Sequence, residues 1–276
     1  MKPLLICTDL DRTLIPNGTQ PESPNARELF RRLAGSKEVT IAYVSGRHRT
    51  LIERAIAEFG LPQPDFAIAD VGSTIYRIDP DGWQQWEQWD AQIAPDWRGL
   101  THDDLHGLLR NFPALRLQEP EKQNCHKLSY HVSLETDAQG LIEEIEARLR
   151  QAGIKANLIW SIDEAAWMGL LDVLPASANK LHAIRFLMQQ QGFQHENTVF
   201  AGDSGNDLDV LLSDVQAVLV ANADAEVKKL AAKAHKDTLY LAQGGYFGMN
   251  GNYSAGILEG VAHYRPEVDA WLRERY

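Results

Sequence analysis

Short apolar runs recur along the chain at residues 4–8 (Leu4-Leu5-Ile6-Cys7-Thr8), 39–45, 65–70, 198–203, 217–222 and 238–242. Each is bounded by charged or turn-forming residues, the pattern of a strand buried on both faces. Between them, apolar residues fall at helical spacing over 24–34, 48–59, 179–191, 206–213, 224–233 and 254–263. Strands alternating with helices predict a parallel sheet with helices on both faces. In such sheets ligands collect beyond the carboxyl ends of the strands. Asp9, Ser45 and Asp203 all stand at such ends, so the fold should gather them into one crevice.

The pattern changes in the middle. Trp83, Trp86, Trp89 and Trp97 lie in a polar, acidic stretch. A helix is predicted over 102–112, strands near 114–118 and 126–133, a helix over 137–152, and strands over 154–160 and 165–173. In the second helix Ile142, Ile145 and Leu149 form one stripe, and Gly153 suits its C-cap. Two repeats of a helix followed by paired strands read as a small α+β domain inserted into the larger one. The predicted fold class is therefore α/β: a Rossmann-like parallel core, residues 1–85 and 172–276, with an α+β insert over 86–171. The tryptophans are expected at the seam, packing the connector rather than stacking on a ligand.

Composition narrows the class. The 276 residues are 44% apolar and 24% charged, enough to bury a core without disulfides or structural zinc. Net charge is −11 and the pI about 5.3, which argues against a nucleic-acid surface. An anionic ligand would need a local cationic site. Cys7 and Cys125 are too few for a disulfide framework or a cysteine-rich metal site, and Cys7 reads as an apolar filler. No apolar run reaches the roughly 18–20 residues of a spanning helix. The first apolar stretch meets Asp9 too soon for a signal peptide. A cytoplasmic protein is the simplest reading.

Four segments carry candidate chemistry. In Asp9-Leu10-Asp11-Arg12-Thr13 two carboxylates follow a buried strand and point the same way. Crowding like charges there is costly unless a cation sits between them. Taken alone, such a pair is more often a strand running into an acidic turn. Val44-Ser45-Gly46-Arg47 offers backbone N–H groups and a hydroxyl at a helix start, an anion site in principle, although Ser is also a common N-cap. Asn179-Lys180 opens a helix, where a solvated Lys is the ordinary case. Gly202-Asp203-Ser204-Gly205-Asn206-Asp207 holds two carboxylates on a tight turn, which suits a hard cation with oxygen ligands.

Together, D-L-D-R-T, V-S-G-R, N-K and G-D-S-G-N-D resemble the four motifs of the haloacid dehalogenase superfamily of phosphotransfer enzymes, in order. The insert resembles the α+β cap of its sugar-phosphatase branch. Val71-Gly72-Ser73-Thr74-Ile75-Tyr76, Lys127-Leu128-Ser129-Tyr130-His131, Asp172-Val173-Leu174-Pro175 and Ala255-Gly256-Ile257-Leu258-Glu259 before His263 resemble the bacterial sucrose-phosphate phosphatases more closely. Leu181 departs from a frequent Gly, and the loop over 244–252 is longer than the family leads one to expect.

The resemblance implies a Mg²⁺-dependent phosphatase acting on a phosphorylated disaccharide, foremost sucrose 6-phosphate. It implies Asp9 as nucleophile, Asp11 as general acid and base, and Lys180 as charge partner. It also implies a metal site at which Mg²⁺ is held by the Asp9 carboxylate, the Asp11 carbonyl and Asp203, with Asp207 orienting bound water. Thr13, Ser45, Gly46, Arg47, Asn179 and Asn206 are the expected residues around the phosphate, with a salt bridge on its own helix an alternative for Arg47. On the strand 126–133, Lys127, Ser129 and His131 share a polar face that either meets the sugar hydroxyls or is simply solvated. The loop over 243–253 is expected at the crevice end, as a sugar contact or a flexible connector. The implied partners are a small sugar phosphate and the sugar-phosphate synthase of the same pathway, with no nucleic acid and no membrane. Competing readings are a phosphatase for another phosphosugar such as mannosylfructose phosphate, a sugar phosphomutase, and a non-catalytic phosphosugar-binding module.

Overall fold

The computed structural model describes residues 2–163, 166–234 and 236–275. The larger sheet is built from β1 (Leu4–Thr8), β2 (Val39–Val44), β3 (Phe66–Ala69), β4 (Thr74–Asp79) and β5 (Gly82–Gln85) early in the chain. The smaller sheet takes β6 (Arg116–Leu117), β7 (Leu128–Val132), β8 (Ala156–Asp163) and β9 (Met168–Pro175). The chain then returns to the larger sheet with β10 (Thr198–Gly202), β11 (Gln216–Leu219) and β12 (Leu239–Leu241).

The larger sheet has eight strands in the order β12-β11-β10-β1-β2-β3-β4-β5. It is parallel from β12 through β3, and the β4–β5 hairpin extends it antiparallel. Every residue of β1 is buried, because helices cover both faces of a parallel sheet. The α/β core therefore follows the apolar pattern. The hairpin and a last helix, Pro266–Arg273, lie beyond what that pattern predicts. The expected helix over 206–213 is instead a 3-10 turn, Gly205–Asp207, running into a short helix, Leu208–Leu211. Ser204 and Asp207 cap that turn reciprocally, which tightens the backbone around the acidic loop.

The smaller sheet is antiparallel, in the order β6-β7-β9-β8. Leu128, Tyr130, Val132, Leu171 and Val173 bury one face of it against Leu105, Leu109, Ile145 and Leu149 of two helices. Ala165, the expected start of its last strand, lies outside the described residues. Two apolar clusters result. The larger runs as far as Trp86, Trp89 and Ile93 and resumes at Leu174, whereas the smaller begins at Trp97. Trp86, Trp89 and Trp97 pack at this seam, whereas Trp83 lies on β5 against Tyr76. Trp86 stacks on Phe66 with centroids 5.7 Å apart, and Trp89 lies 5.2 Å from Phe186. Among the described residues no helix is long and apolar enough to cross a membrane.

Candidate active site

β10, β1 and β2 are neighbours at the centre of the larger sheet, and the residues that follow them are Asp203, Asp9 and Ser45. Parallel pairing continues one step past the strands: Asp9 N–H donates to the Ala201 carbonyl at 2.9 Å and Ser45 N–H to that of Ile68 at 2.8 Å. Strand order alone thus brings the first, second and fourth motifs together.

Lys180 supplies the third. It is the first residue of the helix Lys180–Gln191, and Asn179 caps that helix, its side chain accepting from His182 N–H at 2.9 Å. Lys180 is 2% exposed. It donates to Asp9 Oδ1 at 3.1 Å, to Asp207 Oδ1 at 2.7 Å and to Asn206 Oδ1 at 3.2 Å. Asp207 is fixed in turn, its Oδ2 accepting from the N–H groups of Asp203 and Ser204 at 3.1 and 3.2 Å. Gly202 makes room for it, since a Cβ there would lie 2.7 Å from the Asp207 carboxyl carbon.

Ligand oxygens of Asp9, Asp203 and Asp207, all buried, lie within 4.8 Å of one another. Burial drives the Asp9 carboxyl well above its usual range; Lys180 opposes this, while Asp207 and Asp203 add to it. Burial, then the Asp207 charge, pushes Asp203 up to about 6. Burial works against the Lys180 ammonium, but Asp207 and Asp9 outweigh it and hold it charged. One Asp203 oxygen is buried without a hydrogen bond, and Arg12 Nε stands 3.4 Å from it. Three crowded carboxylates, one of them with an orphaned oxygen, fit a hard divalent cation with oxygen ligands.

Asp11 is placed differently. Its carboxylate turns to Arg47, whose Nε donates to Oδ2 at 2.8 Å and whose Nη2 donates to Oδ1 at 2.6 Å. Asn17 Nδ2 donates to Oδ1 at 2.7 Å. Arg47 therefore pairs across the crevice rather than along its own helix. Ser45 is buried, with its hydroxyl accepting from Arg47 N–H at 3.2 Å. Thr13 is fully buried and donates to Asp203 Oδ1 at 3.2 Å, so it supports a carboxylate rather than lining the opening.

A cleft of about 360 Å³ opens between the two sheets. Gly46, Arg47 and Asn206 line it from one side, Lys122, Lys127 and Asp172 from the other. The polar face of β7 does not meet it as a row. Lys127 does, but Ser129 and His131 are absent from the lining. The reason is the segment before β7. Gln123 exchanges hydrogen bonds with the Ser129 backbone at 2.9 and 2.8 Å, and the Ser129 hydroxyl donates to Asp172 at 2.5 Å. His131 instead faces Glu119 at 3.6 Å.

Sequence reasoning passed over Asn17 and Asn222. Asn222 Nδ2 donates to the Arg12 carbonyl at 2.6 Å, and its Oδ1 accepts from Tyr253 N–H at 2.8 Å. The loop over 243–253 thus buttresses the left-handed Arg12, φ 57°. It is itself docked: Asn250 and Asn252 donate to the Pro21 carbonyl at 2.8 and 3.0 Å, and Glu259 accepts from the N–H groups of Gln243 and Gly244 at 2.9 Å. The Asn17-Gly18 turn signal just after the first motif was the available clue to Asn17.

Known proteins share this arrangement of sequence and fold. Residues 2–265 match the family model described as sucrose-6F-phosphate phosphohydrolase. A HAD-like hydrolase of Nitrosococcus oceani is 55% identical over 273 residues, covering 98% of this chain and 74% of that protein. The mannosylfructose-phosphate phosphatase of Agrobacterium fabrum is 29% identical, covering 96% of this chain and 98% of that one. Against sucrose-phosphatase 1 of Nicotiana tabacum, 29% identical, the chain spans 59% of the longer protein's length. The crystal structure of the Synechocystis sucrose-phosphatase with sucrose and phosphate superposes with a TM-score of 0.74 at 28% identity, covering 96% of this chain and 98% of that one. The chain belongs to the sucrose-phosphatase family of the haloacid dehalogenase superfamily, a family of phosphoric monoester hydrolases.

Proposed function

We propose that this chain hydrolyses the phosphate ester of a phosphorylated disaccharide, with sucrose 6-phosphate the first candidate and mannosylfructose phosphate the second. The observation that carries the reading is Lys180 held between Asp9 and Asp207 at the ends of adjoining elements. Lys180 offsets the repulsion between a carboxylate nucleophile and a phosphate anion. Asp9 attacks phosphorus, and the bond to the sugar oxygen breaks as that oxygen takes a proton from Asp11. Water then attacks the aspartyl-phosphate, giving its proton to Asp11 and returning Asp9. The Asp9 and Asp203 carboxylates and the Asp11 carbonyl would hold Mg²⁺, with Asp207 orienting its water, and the ion when bound supplies further positive charge at the phosphate. The inserted smaller domain acts as a cap that excludes water from the transfer. The mannosylfructose alternative is supported by the end-to-end match to the Agrobacterium enzyme.

Phosphate release tests this. The panel is sucrose 6-phosphate, mannosylfructose phosphate, glucose 6-phosphate, fructose 6-phosphate and p-nitrophenyl phosphate, each with Mg²⁺ and with EDTA. The expected result is Mg²⁺-dependent release, fastest from one of the disaccharides. Equal rates on hexose phosphates would sink the disaccharide assignment. Release from none of the esters would sink the phosphatase reading and favour a mutase or a binding module.

A further inference from the structure

The turn after β3 has three successive residues of positive φ: Asp70 at 53°, Val71 at 61° and Gly72 at 99°. L-residues persist in that conformation only where their surroundings over-determine it. Here they do. Asp70 N–H donates to the Arg47 carbonyl at 3.0 Å and Val71 N–H to the Ser45 carbonyl at 3.1 Å. Trp89 Nε1 donates to the Gly72 carbonyl at 3.0 Å. The turn is therefore pinned to the second motif and to the seam.

This turn carries a charge that the mechanism above does not use. Asp70 Oδ1 lies 3.5 Å from the ammonium of Lys127, and Asp172 Oδ2 lies 3.8 Å from it. The Lys127 and Asp70 side chains are each 6% exposed. Asp172 belongs to the smaller sheet, on the strand beside β7, and its other oxygen is taken by Ser129. Asp70 belongs to the larger sheet, so it makes this ion pair a link between the two halves. Asn124 adds a neutral companion, its Nδ2 3.3 Å from both Ser73 Oγ and Thr74 Oγ1. At ion-pair rather than close hydrogen-bond range, Lys127 keeps N–H groups for a ligand in the cleft that it lines.

We propose that Asp70 is a positioning residue: its carboxylate, fixed by the strained turn, holds Lys127 of the cap at the cleft, where the lysine meets the leaving group of the phosphate ester. The chemistry rests on the phosphatase reading, whereas the bridge between the halves does not. With Asp70 neutral, the Lys127 ammonium keeps only Asp172 of the smaller sheet as a carboxylate partner, and the tie of its segment to the core is reduced to the Asn124 hydrogen bonds.

The test is a double-mutant cycle of Asp70→Asn and Lys127→Met, read on sucrose 6-phosphate and p-nitrophenyl phosphate. Asp70→Asn should raise KM for the sugar phosphate about tenfold with a smaller change in kcat, the scale of a lost charge-assisted contact. The nitrophenyl ester, with no sugar to contact, should lose less. The double variant should be no worse than Lys127→Met, because both act through one ammonium. Hydrogen exchange of residues 124–131 should be faster in Asp70→Asn than in the wild type. Additive losses, an unchanged KM, or wild-type exchange in that segment would each overturn the proposal. Lys127→Met removes the same bridge and leaves the strained turn untouched, so if the Asp70 variant fails to fold, an unchanged KM for the sugar phosphate or wild-type exchange of residues 124–131 in Lys127→Met would overturn the proposal. If the wild type releases no phosphate from any ester, the phosphatase reading fails and the exchange measurement still judges the bridge.

Discussion

Arg47 holds Asp11 by both oxygens, with Nε 2.8 Å from one and Nη2 2.6 Å from the other. Burial alone would raise the Asp11 carboxyl, but the Arg47 hydrogen bonds and charge, helped by Asn17, hold it below the usual carboxylate range. The resting carboxylate is thus the base form, suited to activating water in the second half of the proposed reaction. The proposed first half needs the acid form.

Arg47→Ala should therefore change the pH profile as well as the rate. An essential acid is lost above its pKa, and removing the guanidinium raises that pKa. The alkaline limb of kcat/KM for a sugar phosphate should move to higher pH. Nitrophenolate leaves without a proton, so the limb measured with p-nitrophenyl phosphate should move less. A limb that stays or moves down on the sugar phosphate would count against Asp11 as the acid.

Asp9→Asn tests the nucleophile. The amide keeps the shape of the side chain, and Lys180 retains Asp207 at 2.7 Å, so the melting curve should stay near the wild type. Turnover should fall by about 10⁴-fold or more, because a covalent step is lost. A folded Asp9→Asn protein of near-normal activity would refute the assignment.

Metal removal should tie stability to pH. Asp9 is raised well above its usual range and Asp203 to about 6. A carboxyl raised in the folded state favours folding while protonated, and that advantage is lost as pH rises through the folded pKa. In EDTA the melting temperature should therefore fall between about pH 4, near the unfolded carboxyl range, and a little above the folded value of about 6. Mg²⁺ should restore it, and by more at pH 7.5 than at pH 5, where protons compete for the same oxygens. Equal Mg²⁺ effects at the two pH values would argue that the ion binds elsewhere.

How much of this could be read in advance follows from the physics of each feature. The central strands were legible because burial on both faces leaves continuous apolar runs, and their ends placed Asp9, Ser45 and Asp203. The β4–β5 hairpin was not, because at the sheet edge its second strand, Gly82–Gln85, is partly buried or exposed throughout. Face alternation correctly put Leu128, Tyr130 and Val132 inward. It did not reveal that Gln123 and Asp172 would close over Ser129, because that depends on partners brought in from other segments. The Arg47–Asp11 pair spans 36 residues and the Asn222–Arg12 bond 210; no local pattern announces either.

Gly72 offers a test of how tightly the turn after β3 positions Lys180. Its φ is +99°, and a Cβ there would lie 2.5 Å from the Asn179 carbonyl carbon and 2.9 Å from Lys180 N. Gly72→Ala thus meets two penalties. Backbone strain costs about 1–3 kcal/mol, and crowding presses on backbone that cannot swing aside. The atoms pushed are those that begin the helix carrying Lys180, so its ammonium should shift relative to Asp9. Gly82 separates the two effects: its φ is +120°, but nothing lies within 4 Å of the added Cβ. Gly82→Ala should lower the melting temperature by a few degrees, at about 2–4 °C per kcal/mol for a chain of this size, and leave kcat near the wild type. Gly72→Ala should lower it further and cut kcat on both a sugar phosphate and p-nitrophenyl phosphate, since the role proposed for Lys180 is at the phosphate and not at the sugar. Equal losses of stability in the two variants, with kcat intact in both, would show that the contact between Gly72 and Asn179 does not position Lys180.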